Sequence, residues 1–201
     1  MSKVEIRGNA DLRKALRQFT PDLEKQLKKE LGVALKPVVK KARGFVPKES
    51  PMSGWAARPF SEARFPFFNY NTIVRNIVYT TAVSKPNKNG FTSMARIINK
   101  SAAGAIYETA GRSNPDGQPW VGRQGSGSSK GVSRSINPTA GKTFISNLEP
   151  LVSSLKGRGR FIYRAWAENK GVANGAAMKA IDKAVSEFYA RNKTQKFRKA
   201  A

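Results

Sequence analysis

The side chains able to do chemistry in this chain are few in kind. Histidine and cysteine are both absent. Histidine is the group that most readily moves protons near neutral pH, and cysteine is the strongest nucleophile there. Both are also the main soft metal ligands. What remains is 13 carboxylates against 37 lysines and arginines. The acids are scattered, with no Asp-x-Asp pair of the kind that holds a metal. Glu24 and Glu30 sit among lysines and read as surface ion pairs. Glu108 differs, because it lies between Tyr107 and Ala110-Gly111 in a run of small residues where burial is expected. A lone buried acid reads as structural, paired with an arginine or capping backbone. Ala140-Gly141-Lys142-Thr143 looks like the end of a phosphate-cradling loop. The full pattern needs glycine where Ile136 stands, and a strand where the chain has Ser-Arg-Ser-Ile-Asn-Pro. These residues predict no catalytic site, no metal site and no cofactor, so the expectation is a protein that is not an enzyme.

The basic residues are the remaining signal. A formal charge of +24 exceeds what solubility requires, and ordinary solvated faces mix signs. Such a surface attracts polyanions or acidic protein faces. The candidates for a DNA path or an acidic partner are Lys25, Lys28, Lys29, Lys40, Lys41, Arg43, Arg158, Arg160 and Arg164. No zinc knuckle, recognition helix or RNA-stacking signature accompanies them, so base-specific readout is not expected.

The elements that must position these groups follow from periodicity and caps. Lys3–Arg7 alternates as a short strand. Asn9 caps a helix from Ala10 with Leu12, Leu16 and Phe19 on one face. Thr20-Pro21-Asp22 opens a long amphipathic helix on Leu23, Leu27, Leu31, Leu35, Val38 and Ala42. Pro37 is expected to kink it and Gly44 to end it. Residues 47–70 are rich in Pro, Gly, Ser and aromatics and read as an extended arm. Its Trp55, Phe60, Phe65, Phe67 and Phe68 either fold back on the core or anchor on another subunit. Ile73–Ser84 and Phe91–Asn99 are β-branched and flank an Asn89-Gly90 turn, which predicts an antiparallel hairpin. Ser101 caps a short helix that Gly111 stops. Residues 112–139 are a low-complexity Gly/Ser-rich loop with Trp120 as a docking candidate. Thr143–Leu155 suggests a short helix, broken by Gly157-Arg158-Gly159-Arg160. A final helix is expected from about Val172 to Asn192 on a stripe of Ala176, Ala177, Ala180, Ile181, Ala184, Val185 and Phe188, with residues 193–201 as a basic tail. The whole is expected to be one α+β domain: a small antiparallel sheet with the hairpin at its centre, packed by a long N-terminal and a C-terminal helix, with the arm and loop as insertions. The first residues lack the apolar stretch of a signal peptide. No apolar run approaches the ~18 residues of a membrane span, so no membrane partner is expected.

The order of these features resembles a known group. A basic amphipathic helix ends in Ala42-Arg43-Gly44-Phe45-Val46-Pro47, and a Pro/Gly-rich connection and a hairpin follow. Next come Ala105-Ile106-Tyr107-Glu108-Thr109-Ala110-Gly111, then an aromatic stretch and a C-terminal helix. This order is similar to that of the neck and tail-component proteins of long-tailed bacteriophages, the tail-completion and head–tail joining proteins. The resemblance covers most of residues 1–111 and 160–192. It implies a virion protein made in the host cytoplasm, assembled as a cyclic homo-oligomer, sixfold by the resemblance, beside other neck and tail proteins and near virion DNA. Heterologous contacts that close give such a ring. The competing reading from the charge alone is a sequence-neutral nucleic-acid-binding protein.

Overall fold

The computed structural model describes residues 3–8, 10–56, 66–89, 92–121, 132–133, 135–154 and 157–199. Strand β1 (Lys3–Gly8) leads into α1 (Ala10–Phe19) and the 24-residue α2 (Pro21–Gly44). A single 3-10 turn at Ser53–Trp55 precedes α3 (Tyr70–Asn76), β2 (Ile77–Thr80) and β3 (Thr92–Asn99). Then follow α4 (Ala102–Thr109), α5 (Ala140–Ser146), β4 (Val152–Ser154), β5 (Gly157–Gly159) and the long α6 (Ile162–Lys199). The fold is α+β, with a three-stranded antiparallel sheet in the order β1-β3-β2 and a two-stranded β4-β5 ribbon.

The sheet and the two long helices share one core. Helix α2 turns Leu23, Leu27, Leu31, Leu35, Val38 and Ala42 inward, at spacings of four and three that keep them on one stripe. Helix α6 answers with Ala173, Ala177, Ala180 and Ala184. Small side chains on one helix let the leucines of the other come close to its backbone. Ala176, expected on the buried stripe, is exposed instead. Behind them β3 buries Met94, Ala95 and Ile97. At the corners sit Phe68, Tyr107 and Phe161, with the Tyr107 and Phe161 rings stacked at 6.1 Å. Exposed ion pairs fasten α6 to α2, among them Lys183 with Glu30 at 3.2 Å and Arg191 with Asp22 at 2.5 Å.

Several local expectations are met. Pro21 and Gly44 bound α2 as expected. Ser101 accepts from the Gly104 amide at 3.0 Å, and Gly111 takes a left-handed φ of +80° just past α4. Other details differ. Thr20 begins α2 without a side-chain cap bond. Pro37 is accommodated inside the continuous helix, facing solvent, where the loss of one N–H is least costly. The hairpin pairs Ile77–Thr80 with Arg96–Asn99 only. Its expected first strand starts as helix α3, because Asn69 accepts from the Thr72 amide at 2.9 Å and sets a helical turn there. The short helix begins at Ala140, and Gly157–Gly159 forms a strand with Val152–Ser154 where a break was expected. Helix α6 starts ten residues earlier than expected and runs through the stretch read as a basic tail. No helix among the described residues is long and apolar enough to cross a membrane.

Candidate functional site

The polar centre of the molecule is a clasp between α4 and the start of α6. Glu108, fully buried, is reached by three backbone amides. The Arg160 and Phe161 amides donate to its Oε2 at 3.0 and 2.6 Å, and the Tyr163 amide donates to its Oε1 at 3.0 Å. The Tyr163 amide lies in the first turn of α6 and the other two in the residues leading into it, so the carboxylate caps that helix from 52 to 55 residues away. Arg160 completes the exchange in the other direction. Its guanidinium donates to the Tyr107 carbonyl at 2.7 Å, the Ala110 carbonyl at 2.9 Å and the Glu149 carbonyl, taking up the carbonyl end of α4. Arg112 and Arg158 cross-link the same segments, each guanidinium donating to the other's carbonyl oxygen. The two glycines make this possible. A Cβ on Gly159 would stand 2.2 Å from Glu108 Oε1, and one on Gly157 would stand 2.4 Å from the Tyr163 ring.

Burial pushes the Glu108 carboxyl up to about 6, against the pull of the three amides, so it is ionised at neutral pH. Burial likewise pushes the Tyr107 hydroxyl up to about 12. Glu108 is thus buried, as its small neighbours suggested, and accepts from backbone amides. Arg160 departs from the expectation for a DNA-path or partner-facing cation. It is only 2% exposed, because its fork is the one group that can satisfy three inward-facing carbonyls at once.

The other basic candidates fall into two sets. Lys28 pairs with Glu24 at 3.0 Å, and Lys41 with Glu168 at 2.6 Å. Glu24, expected as a surface acid, is buried under that contact and under Arg17 at 3.4 Å. The Lys41 ammonium holds the Glu168 carboxyl below its ordinary range. Arg164 bonds Glu149 at 3.1 Å and stands 4.1 Å over the Phe45 ring. Arg43 donates twice to the Ile77 carbonyl, at 3.1 and 2.8 Å. Arg158 is exposed but tied to Arg112.

Lys25, Lys29 and Lys40 form the second set, joined by Lys36. All four are exposed, and none makes an ion pair with an acid among the described residues. Their spacing of four, seven and four residues puts them on one side of α2. The row is ~22 Å long at 1.5 Å per residue. Its C-terminal half forms a wall of an open cleft of about 490 Å³ lined by Lys36, Val39, Lys40, Arg43, Val78 and Tyr79. Lys36 and Tyr79 were not singled out by the sequence. Lys36 was legible as the missing member of the lysine periodicity, whereas Tyr79 reaches α2 only through the fold.

The aromatic arm resolves into separate fates. Trp55 is buried, donates from its indole to the Pro66 carbonyl at 2.8 Å, and packs edge-on against Phe68 and Phe144. Phe68 is buried as well and touches Tyr107. These two aromatics serve their own core, the first of the two readings left open for the arm, and are not exposed anchors in this protomer. Phe67 is half-buried. Phe60 and Phe65 lie outside the described residues. Trp120 is 47% exposed, with its indole donating to the Ser135 carbonyl at 3.0 Å. The glycine of Ala140-Gly141-Lys142-Thr143 packs against the Gly117 turn, with a Cβ on Gly117 falling 2.8 Å from Gly141. It serves a close approach of the Gly117 turn to the start of α5, and no strand directly precedes α5 among the described residues. No group of three or more acids that could hold a metal occurs among the described residues. Compared with family models, curated proteins and solved structures, the chain matches none of them.

Proposed function

We propose that the chain is a structural protein of a tailed-phage head–tail junction, a neck or tail-completion component that assembles into a ring joining tail to head. The observation that supports this reading most is the clasp. Two of the segments that carry the resemblance, Ala105–Gly111 and the aromatic stretch from Phe161 to Ala167, are separate in sequence. They meet through Glu108 on the α6 amides and Arg160 on the α4 carbonyls. A shared polar joint gives the motif residues one purpose: to fix a long helix rigidly against a small sheet. Rigid protomers with an uncompensated charged face suit closed assemblies, in which contacts to neighbours and not internal motion set the geometry. The free lysine face of α2 then meets the DNA path or an acidic neighbouring ring. That face repels the same face of another copy, so it does not pair with itself, and subunit contacts lie elsewhere, with Trp120 an exposed candidate.

The same lysine row favours a second reading, a sequence-neutral nucleic-acid-binding protein acting alone. Light scattering and electron-microscope class averages separate the two. The purified chain, alone or with the proteins encoded beside it, is expected to give closed rings with one rotational symmetry. A monomer under all these conditions that still binds DNA contradicts the neck reading and supports the other.

A further inference from the structure

We propose that the cleft between α2 and β2, with the lysine row that leads into it, holds the phosphate backbone of duplex DNA without reading its sequence. The inference rests on the neck reading for the source of the duplex, and it names the residues that face it. Strand β2 is an edge of the sheet, so among the described residues no further strand pairs with it on this side. Gly32 lets the Tyr79 ring lie across α2, since a Cβ there would come within 2.9 Å of the ring. Tyr79 stays 37% exposed and lines a cleft whose other polar lining is Lys36, Lys40 and Arg43. Arg43 is locked by its two bonds to the Ile77 carbonyl, which leaves its other terminal nitrogen as a fixed donor.

The chemistry favours phosphate over an acidic protein surface on two grounds. First, lysines are depleted from the buried centres of protein interfaces, whereas lysine, arginine and tyrosine hydroxyls are the usual contacts to DNA phosphates. Second, the row follows a line. At 3.4 Å of axis per phosphate on one strand, its ~22 Å runs past about six phosphates. An apolar floor of Val39 and Val78 offers no hydrogen bonds to base edges, so the contact carries no sequence information.

The test is fluorescence anisotropy of the full chain on a short labelled duplex of mixed sequence, between about 50 and 200 mM salt. Lys36→Gln/Lys40→Gln is expected to lower the slope of log affinity against log salt by about 2 and to weaken binding equally across sequences. Lys88→Gln/Lys179→Gln removes the same charge from exposed sites elsewhere and is expected to change the slope by less than half as much. Equal losses in the two variants, or no duplex binding by the wild type, overturn the inference. So does a wild type that binds an acidic polypeptide in preference to the duplex. If rings still form while any of these results is obtained, the inference falls and the neck reading stands. If no ring forms but the slope change is seen, the reverse holds.

Discussion

The clasp and the outer face of α2 handle positive charge in opposite ways. In the clasp, Arg112, Arg158 and Arg160 are bonded to backbone carbonyls, and Arg164 to a carboxylate beside it. On α2, Lys25, Lys29, Lys36 and Lys40 are exposed and have no acidic partner among the described residues. The division follows from the two side chains. A guanidinium is a rigid planar fork that can satisfy several carbonyls in a buried site, whereas an ammonium is a strongly hydrated point charge that stays in water. A charge of +24 therefore overstates the binding surface, because part of it is internal architecture. Under the proposed function, the outward contact falls to the lysines.

The comparison is broken most forcefully at Arg160. Arg160→Ala would leave the Tyr107, Ala110 and Glu149 carbonyls without their donor and open a cavity beside Tyr107. The expected loss is about 3–5 kcal/mol of unfolding free energy, read from chemical denaturation. A loss under about 1 kcal/mol would mean that Arg160 is no more structural than the lysines.

Aromatic residues sharpen the same contrast. Trp55→Ala should cost about 3–5 kcal/mol as a core truncation. Trp120→Phe should cost under about 0.5 kcal/mol but remove the tryptophan fluorescence most open to a soluble quencher. Persistence of that quenching in the Trp120 variant would show that Trp55 or Trp166, both buried in the fold, is exposed.

Next in size is a pH effect. In the fold the Glu108 carboxyl titrates at about 6 in place of its ordinary 4.5. A raised value means that the folded state holds the proton more tightly than the unfolded one. The group's contribution is complete below 4.5 and is lost as pH rises through 6, an effect of about 2 kcal/mol. Wild type should therefore lose that much more stability than Glu108→Gln between pH 4.5 and 7. Parallel pH curves for the two would contradict a buried, amide-capping carboxylate. The smallest effect belongs to the lysine face: Lys25→Gln/Lys29→Gln should leave the melting midpoint unchanged within about 0.5 kcal/mol, while lowering affinity for polyanions.

How much of this was legible depended on how far apart the interacting residues lie. Local signals worked. Pro21, Gly44, Ser101 and Gly111 mark helix ends through neighbours within a few residues. The start of α6 was misplaced because its cap is not local. Arg160, Phe161 and Tyr163 are preceded by Gly-Arg-Gly, which reads as a breaker, and the capping oxygen belongs to Glu108 on another helix. Arg160 looked like one more surface cation for the same reason, since its partners are carbonyls that have no sequence signature. Ile73 and Val74 suggested a strand by their branching, yet Asn69 set a helical turn first. The lysine row was visible as a cluster, but its freedom from acids depended on where Glu24, Glu30 and Glu168 point. The first is buried, and the other two bond Lys183 and Lys41.

The most direct test of the proposed head–tail role disables the gene for the chain in its genome of origin. With the gene disabled, electron microscopy of the lysate should show filled heads and finished tails lying apart. Resupplying the wild-type chain in the host should restore joined particles. Joined, infectious particles assembled in its absence would contradict the account.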